Sequence, residues 1–172
     1  PDDILLSCAN GQNLKHEMAL EAGLLYQLFN KEPDTIRIFG SWDYLSHQVI
    51  ASPFKPVDYM DKMDVFGYVF ISGYQTIARY LVIELKKDYA FLEDIEQVMK
   101  YVDWVKDEYA YGDYSMITAF LLAYDFKKDV VQYAKEAGLR KYIIGRRPPQ
   151  SVTWANLNLV RYRFDKKMHY QL

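Results

Sequence analysis

The stretch that decides the fold is Tyr80-Leu81-Val82-Ile83-Glu84-Leu85-Lys86-Lys87. Its apolar, β-branched residues predict a buried strand, yet a carboxylate and two ammonium groups lie near its end. Because side chains alternate between the two faces of a strand, Glu84 and Lys86 point the same way. A buried carboxylate beside an ammonium is costly unless the pair has a partner or a task. The stretch therefore indicates a functional site built on a central strand.

A second acid is expected opposite Glu84. The segments Met63–Ile71 and Thr76–Lys86 predict a hairpin whose turn centres near Tyr74. Asp64 and Glu84 are equally distant from that turn, so they should face each other across the two strands. Two adjacent carboxylates repel, and one pKa rises unless a cation lies between them. Mg²⁺, which binds oxygen ligands and retains exchangeable waters, is the predicted occupant of this site.

The next helix carries two polar residues in register with this site. Phe91 to Tyr109 shows helical periodicity, and Gln97 and Tyr101 share one face because they are four residues apart. We expect Gln97 to hydrogen-bond Lys86 or a bound phosphate, and Tyr101 to contact a phosphate backbone. Lys86 itself would orient an attacking water and stabilise charge on the phosphorus oxygens. The alternative structural interpretation is that Gln97 is a polar group on the helix surface and that Tyr101 packs at the edge of the core.

Asp64, the Glu84-x-Lys86 pair and Gln97-x-x-x-Tyr101 together resemble the PD-(D/E)xK nuclease superfamily. The sequence around these residues, over about residues 63–104, is similar to the NucS-like and RecB-like branches. The resemblance implies an α/β fold with a restriction-endonuclease-like αβββαβ core, a central mixed sheet with helices on both faces. It also implies Mg²⁺ or Mn²⁺ as cofactor and DNA as substrate.

The resemblance further implies a catalytic glutamate on the first helix. Glu21 is the candidate, and Glu17, one turn earlier on the same face, is its rival. The sequence departs from the family pattern at Met63, which stands where a proline usually precedes the aspartate. Asp58 and Asp61 are reserve ligands if the register of the hairpin differs from the predicted one.

The order of the remaining elements supports a mixed sheet between helices. A helix is predicted first, then strands and the hairpin, then alternating helices and strands. The predicted elements are a helix over Asn13–Phe29, strands over Asp34–Gly40, Tyr44–Ala51 and Met116–Tyr124, a helix over Phe126–Ala137 capped by Asp125, and strands over Lys141–Ile144 and Leu157–Phe164.

The chain of 172 residues suits one domain over residues 1–172, with a core at about 13–145 and a basic extension at 146–172. Because it begins at Pro1 rather than Met, a fragment of a longer protein is one expectation. The C-terminal region is rich in basic residues, which charge alone favours as a solvated tail, while the nuclease hypothesis favours a polyanion partner there. The candidate phosphate contacts are Arg146, Arg147, Arg161 and Arg163.

Composition limits the other possibilities. The single cysteine, Cys8, excludes an internal disulfide framework and a cysteine-based zinc site, and cytoplasmic residence fits it. No apolar segment approaches transmembrane length, so no membrane partner is expected.

The leading hypothesis is a Mg²⁺- or Mn²⁺-dependent nuclease that hydrolyses DNA phosphodiester bonds in repair, recombination or defence. The alternatives are an inactive nucleic-acid-binding module on the same fold, and a structural or interaction domain in which Glu84 and Lys86 form an ordinary ion pair. RNA as a substrate and a homodimer as the assembly stay open.

Overall fold

The computed structural model describes residues 2–51 and 61–172, so Asp58 lies outside the described residues. The helices are α1 (Asp2–Ser7), α2 (Glu17–Phe29), α3 (Pro33–Phe39), α4 (Leu92–Glu108) and α5 (Lys128–Ala137), with a short 3₁₀ turn at Tyr114–Met116. The strands are β1 (Ala9–Asn10), β2 (Asn13–Leu14), β3 (Tyr44–Ile50), β4 (Lys62–Phe70), β5 (Ile77–Ala90), β6 (Ile117–Phe126), β7 (Arg140–Ile144), β8 (Gln150–Trp154), β9 (Leu157–Asp165) and β10 (Lys167–Gln171).

The described residues form a mixed central sheet in the order β10-β9-β6-β5-β4-β3. Strands β3, β4 and β5 make an antiparallel meander, β6 and β9 run parallel to β5, and β10 returns antiparallel along β9. Helices α1, α2 and α3 pack on one face, and α4 and α5 on the other. The predicted αβββαβ core is confirmed as α2, β3, β4, β5, α4 and β6.

Strand β5 is buried on both faces, which explains its nearly continuous apolar run. Leu81, Ile83 and Leu85 pack toward α2, while Tyr80 and Val82 pack toward α4. Side chains of β5 thus contribute to the hydrophobic cores on both faces of the sheet, and this packing fixes the position of its polar end at the edge of the core. Within the described ranges, no helix has both the length and the apolar character needed to cross a bilayer.

The strand predicted at Asp34–Gly40 is wrong, because these residues belong to helix α3. Pro33 occupies the first helical turn, where its missing N–H is tolerated. Thr35 and Phe39, four residues apart, are buried on one helical face, whereas the two β-branched isoleucines between them favour a strand by propensity alone.

The boundaries of two helices also differ from the predicted ones. Helix α2 begins at Glu17 rather than Asn13, because Asn13 and Leu14 pair as β2 with β1. Asp125 does not cap α5, since it lies inside β6 and Lys127 precedes the helix.

The region after residue 145 is not an extension beyond the core. Strands β9 and β10 complete the central sheet, and Val160, Tyr162, Phe164 and Met168 are buried against α2 and α3. From Val160 to Phe164 apolar residues alternate with basic ones, so the two arginines lie on one face and the side chains buried against α2 and α3 on the other. The core therefore reaches the C-terminal strand.

Gly67 allows β3 and β4 to approach each other. A Cβ there would lie 2.7 Å from the Tyr44 carbonyl oxygen and 2.9 Å from Leu45 Cδ2. We expect Gly67→Ala to lower the free energy of unfolding by about 1–3 kcal/mol, measured by urea denaturation. Ser72→Ala, in the exposed turn between β4 and β5, is the control. Equal stability of both variants would contradict this tight approach.

Candidate active site

Strands β4 and β5 stop pairing next to the two predicted acids, Asp64 and Glu84. The last neighbouring pair is Val65–Ile83, and continuing that register by one residue sets Asp64 opposite Glu84, as predicted. The next link between the strands uses a side chain, because the Leu85 N–H donates to Asp64 Oδ2 at 2.8 Å. The site therefore occupies the point where the antiparallel ladder ends.

Glu84 is a buried acid that is only partly satisfied. Its side chain is 2% exposed, and Oε1 accepts a hydrogen bond from Lys86 Nζ at 2.9 Å. Oε2 is buried and has no hydrogen-bond partner within the described part of the chain. Burial, reinforced by the negative charge of Asp64, raises the pKa of Glu84 to about 8. Even beside Lys86, burial therefore favours the protonated carboxyl group near neutral pH, unless a further positive charge joins it.

Lys86 lies between two acids. Its ammonium is 2.9 Å from Glu84 Oε1 and 3.5 Å from Asp94 Oδ1. Burial favours the neutral amine, but the carboxylates of Glu84 and Asp94 outweigh it, so the pKa of Lys86 is raised and the charge persists. Asp94 was missed in the sequence analysis, although an acid in the first turn of α4 is the available signal. Its Oδ2 accepts the Phe91 N–H.

A second group of polar contacts joins Asp64 to helix α2. Gln48 Nε2 donates to Asp64 Oδ1 and to Glu21 Oε2, each at 3.1 Å. His47 Nδ1 lies 2.9 Å from the other Glu21 oxygen. Burial raises the pKa of Asp64, partly offset by the Leu85 N–H, and Glu21 adds to the rise. Glu21 is thus the first-helix acid linked to Asp64.

Its rival Glu17 faces a different group, the backbone N–H of Lys87 at 3.3 Å. The structure therefore favours Glu21 over Glu17 by contact, and no sequence signal distinguished these two residues on one helical face. His47 and Gln48 lie on a strand that the sequence places before the hairpin, where it could approach the site, although a structural role was the favoured interpretation of both residues.

Tyr101 and Gln97 form a pair on α4. The Gln97 amide donates to the Tyr101 hydroxyl at 2.7 Å, so it engages Tyr101 rather than Lys86 as one prediction had it. Burial raises the pKa of Tyr101 to about 12, and the charges of Glu84 and Asp64 add to the shift. The hydroxyl therefore stays protonated at neutral pH and can donate a hydrogen bond near the two acids.

The four arginines predicted to bind phosphates separate into two pairs. Arg146 and Arg147 are exposed between β7 and β8. Arg161 and Arg163 instead lie on β9 and share Asp125, at 2.6 Å and 3.5 Å. Arg163 also lies 4.1 Å from the Tyr124 ring centroid. A phosphate at this second pair would therefore compete with Asp125.

The donor set fits a hard divalent cation held by few protein ligands. The residues at 2–51 and 61–172 contain no cluster of three or more His, Cys, Asp or Glu side chains arranged as a metal cage. Mg²⁺ commonly uses one or two carboxylates and completes its shell with waters. The unpartnered Glu84 oxygen beside Asp64 is the observation that matches this binding mode.

Comparisons with known proteins give structural matches only. No protein-family model and no curated protein matches the chain. Among solved structures, the chain is similar to a repair endonuclease from Pyrococcus abyssi, with 20% identity, a TM-score of 0.48, and coverage of 82% of this chain and 46% of the other. It is also similar to EndoMS in complex with double-stranded DNA, with 22% identity, a TM-score of 0.45, and coverage of 69% and 41%.

The third similar structure is EndoMS in its apo form, with 19% identity, a TM-score of 0.44, and coverage of 69% and 43%. The chain thus spans less than half the length of each of these structures. Likeness at this level adds no argument about chemistry, so the function proposed below rests on the side chains of this chain.

The raised pKa of Glu84 makes stability depend on pH. The unfolded chain loses this proton near the ordinary pKa of 4.5, whereas the folded chain holds it until about 8. Between these values the folded state binds more protons, so its stability falls as pH rises. Glu84→Gln removes this titration.

We therefore expect the free energy of unfolding of Glu84→Gln, relative to wild type without added metal, to grow by up to about 1.4 kcal/mol per pH unit between about pH 5 and about pH 8. Denaturation across this range checks it. Glu93→Gln, at an exposed position on α4, is the matched control. A difference between Glu84→Gln and wild type that stays constant with pH would count against the buried acid.

Proposed function

We propose that the chain is a Mg²⁺- or Mn²⁺-dependent deoxyribonuclease that hydrolyses phosphodiester bonds in DNA repair, recombination or defence. One observation carries the proposal. Glu84 is buried next to Asp64, and among the described residues its Oε2 has no partner, so Lys86 alone does not balance the acids and a divalent cation would supply the further positive charge. Asp64 and Glu84 are the proposed metal ligands.

When bound, the cation would lower the pKa of a water nucleophile and neutralise charge on the substrate phosphate. The chain supports this chemistry through Lys86, whose ammonium is fixed by Glu84 and Asp94 and can orient the water and stabilise charge on the phosphorus oxygens. These two acids hold the Lys86 head group in place, so little reorganisation is needed during reaction.

Other residues complete the proposed site. Tyr101 is 1% exposed and its hydroxyl accepts from Gln97, so it would donate its own proton only to a phosphate oxygen that enters the site beside the two acids. Glu21 contributes from α2 by fixing the Gln48 amide that contacts Asp64. Each of these side chains binds or orients, and the described geometry assigns none of them as a nucleophile.

DNA is the proposed partner, because exposed arginines at the β7–β8 connection offer phosphate contacts. Arg146 and Arg147 would bind directly. Arg161 and Arg163 would bind once a phosphate displaces Asp125, which now shares them. Arginine suits this exchange because its planar fork binds carboxylate and phosphate in similar geometry.

Cleavage of plasmid and oligonucleotide DNA tests the proposal. With Mg²⁺ or Mn²⁺ present, we expect Lys86→Ala to lower the rate by at least about 10²-fold, because charge stabilisation in the transition state is lost. Mn²⁺ binding by this variant should persist, since Asp64 and Glu84 remain. Lys87→Ala is the matched control, because this neighbouring ammonium pairs with Asp88.

Three results would count against the proposal in different ways. Equal cleavage by wild type, Lys86→Ala and Lys87→Ala would remove Lys86 from the chemistry. Metal-independent cleavage would remove the cation. DNA binding without any cleavage would identify an inactive binding module.

A further inference from the structure

Gln48 has an unusual backbone conformation directly opposite Asp64. Its neighbours His47 and Val49 pair with Val65 and Met63, so Gln48 lies across from Asp64 in the same register. Its φ is 53°, in the left-handed region that residues other than glycine seldom adopt inside a strand. Such strain persists where surrounding contacts fix it, and it often marks a functional position.

The contacts that hold Gln48 are both with acids. Its Nε2 lies 3.1 Å from Glu21 Oε2 and 3.1 Å from Asp64 Oδ1. An amide nitrogen carries two hydrogens, so it can donate one to each carboxylate. His47 Nδ1, at 2.9 Å, contacts the remaining Glu21 oxygen. A neutral donor thus stands between two negative groups that would otherwise repel each other.

We propose that the Gln48 amide occupies the position between Glu21 and Asp64 that a second divalent cation would need, and so restricts the site to one cation. This inference rests on the proposed function, because it concerns the same acids. Mg²⁺ binds carboxylate oxygens at about 2.1 Å. A nitrogen at hydrogen-bond distance from both oxygens leaves no room for such an ion, which must first break both contacts.

If the site holds one cation, the Lys86 ammonium is the second positive charge beside the acids. On the α2 side, Gln48 closes the gap between Glu21 and Asp64. On the α4 side, the Lys86 ammonium contacts both Glu84 and Asp94. Among the described residues, the oxygen of these acids that is buried without a donor is Glu84 Oε2, next to Asp64. The chain thus places an amide and an ammonium on the two sides of that oxygen.

Counting bound Mn²⁺ ions tests this restriction directly. Titration followed by the electron paramagnetic resonance signal of free Mn²⁺ should give one ion per wild-type chain and two per chain of Gln48→Gly. Glycine keeps the positive φ without a side chain, so the variant is expected to fold. Tyr111→Gly is the matched control, since Tyr111 has a φ of 53° and is 96% exposed, and it should bind one ion.

The outcomes separate this inference from the proposed function. Two ions on wild type, or no more ions on Gln48→Gly than on wild type, would overturn the role of Gln48. If wild type binds two ions and cleaves DNA, the inference alone fails. If wild type binds none while Gln48→Gly binds one, the amide does block a cation, but the Asp64–Glu84 cation of the proposed function is lost. If neither chain binds Mn²⁺, both fail.

Discussion

Burying the Glu84 carboxyl beside Asp64 is the constraint on which the site depends. Lys86 compensates one oxygen of Glu84, and the other oxygen has no donor among the described residues. The free-energy cost appears as a pKa that rises to about 8. A perturbed acid of this kind is more typical of a functional site than of a structural ion pair, because packing alone gains nothing from it.

The architecture fixes this constraint from three directions. The ladder between β4 and β5 ends at the acids, so Asp64 receives a backbone N–H that the sheet no longer uses. Helix α4 presents Asp94 and the Gln97–Tyr101 pair on one side, and α2 presents Glu21 on the other. Acids outnumber Lys86 around this point, and a cation would restore the balance.

The sequence predicted the parts of the site that follow from periodicity. Strand β5, helix α4 and the opposition of Asp64 and Glu84 depend on alternation and on equal distance from a turn. Other parts had weaker signals. Helix α3 carries isoleucines at alternate positions, which suggested a strand. In β9, the basic residues that alternate with apolar ones made the segment look like an exposed extension rather than a core strand.

The backbone conformation of Gln48 could not be predicted for a different reason, since a positive φ has no sequence signal when the residue is not glycine. Its contacts depend on α2 lying over β3 and β4, which is a tertiary relation. The measurement that tests the account most directly is proton release during Mn²⁺ binding, obtained by calorimetry in buffers of different ionisation enthalpy. Near pH 7, about one proton should leave per ion, falling toward none near pH 9, because Glu84 must ionise to bind. Binding without proton release at either pH, or no binding, would contradict it.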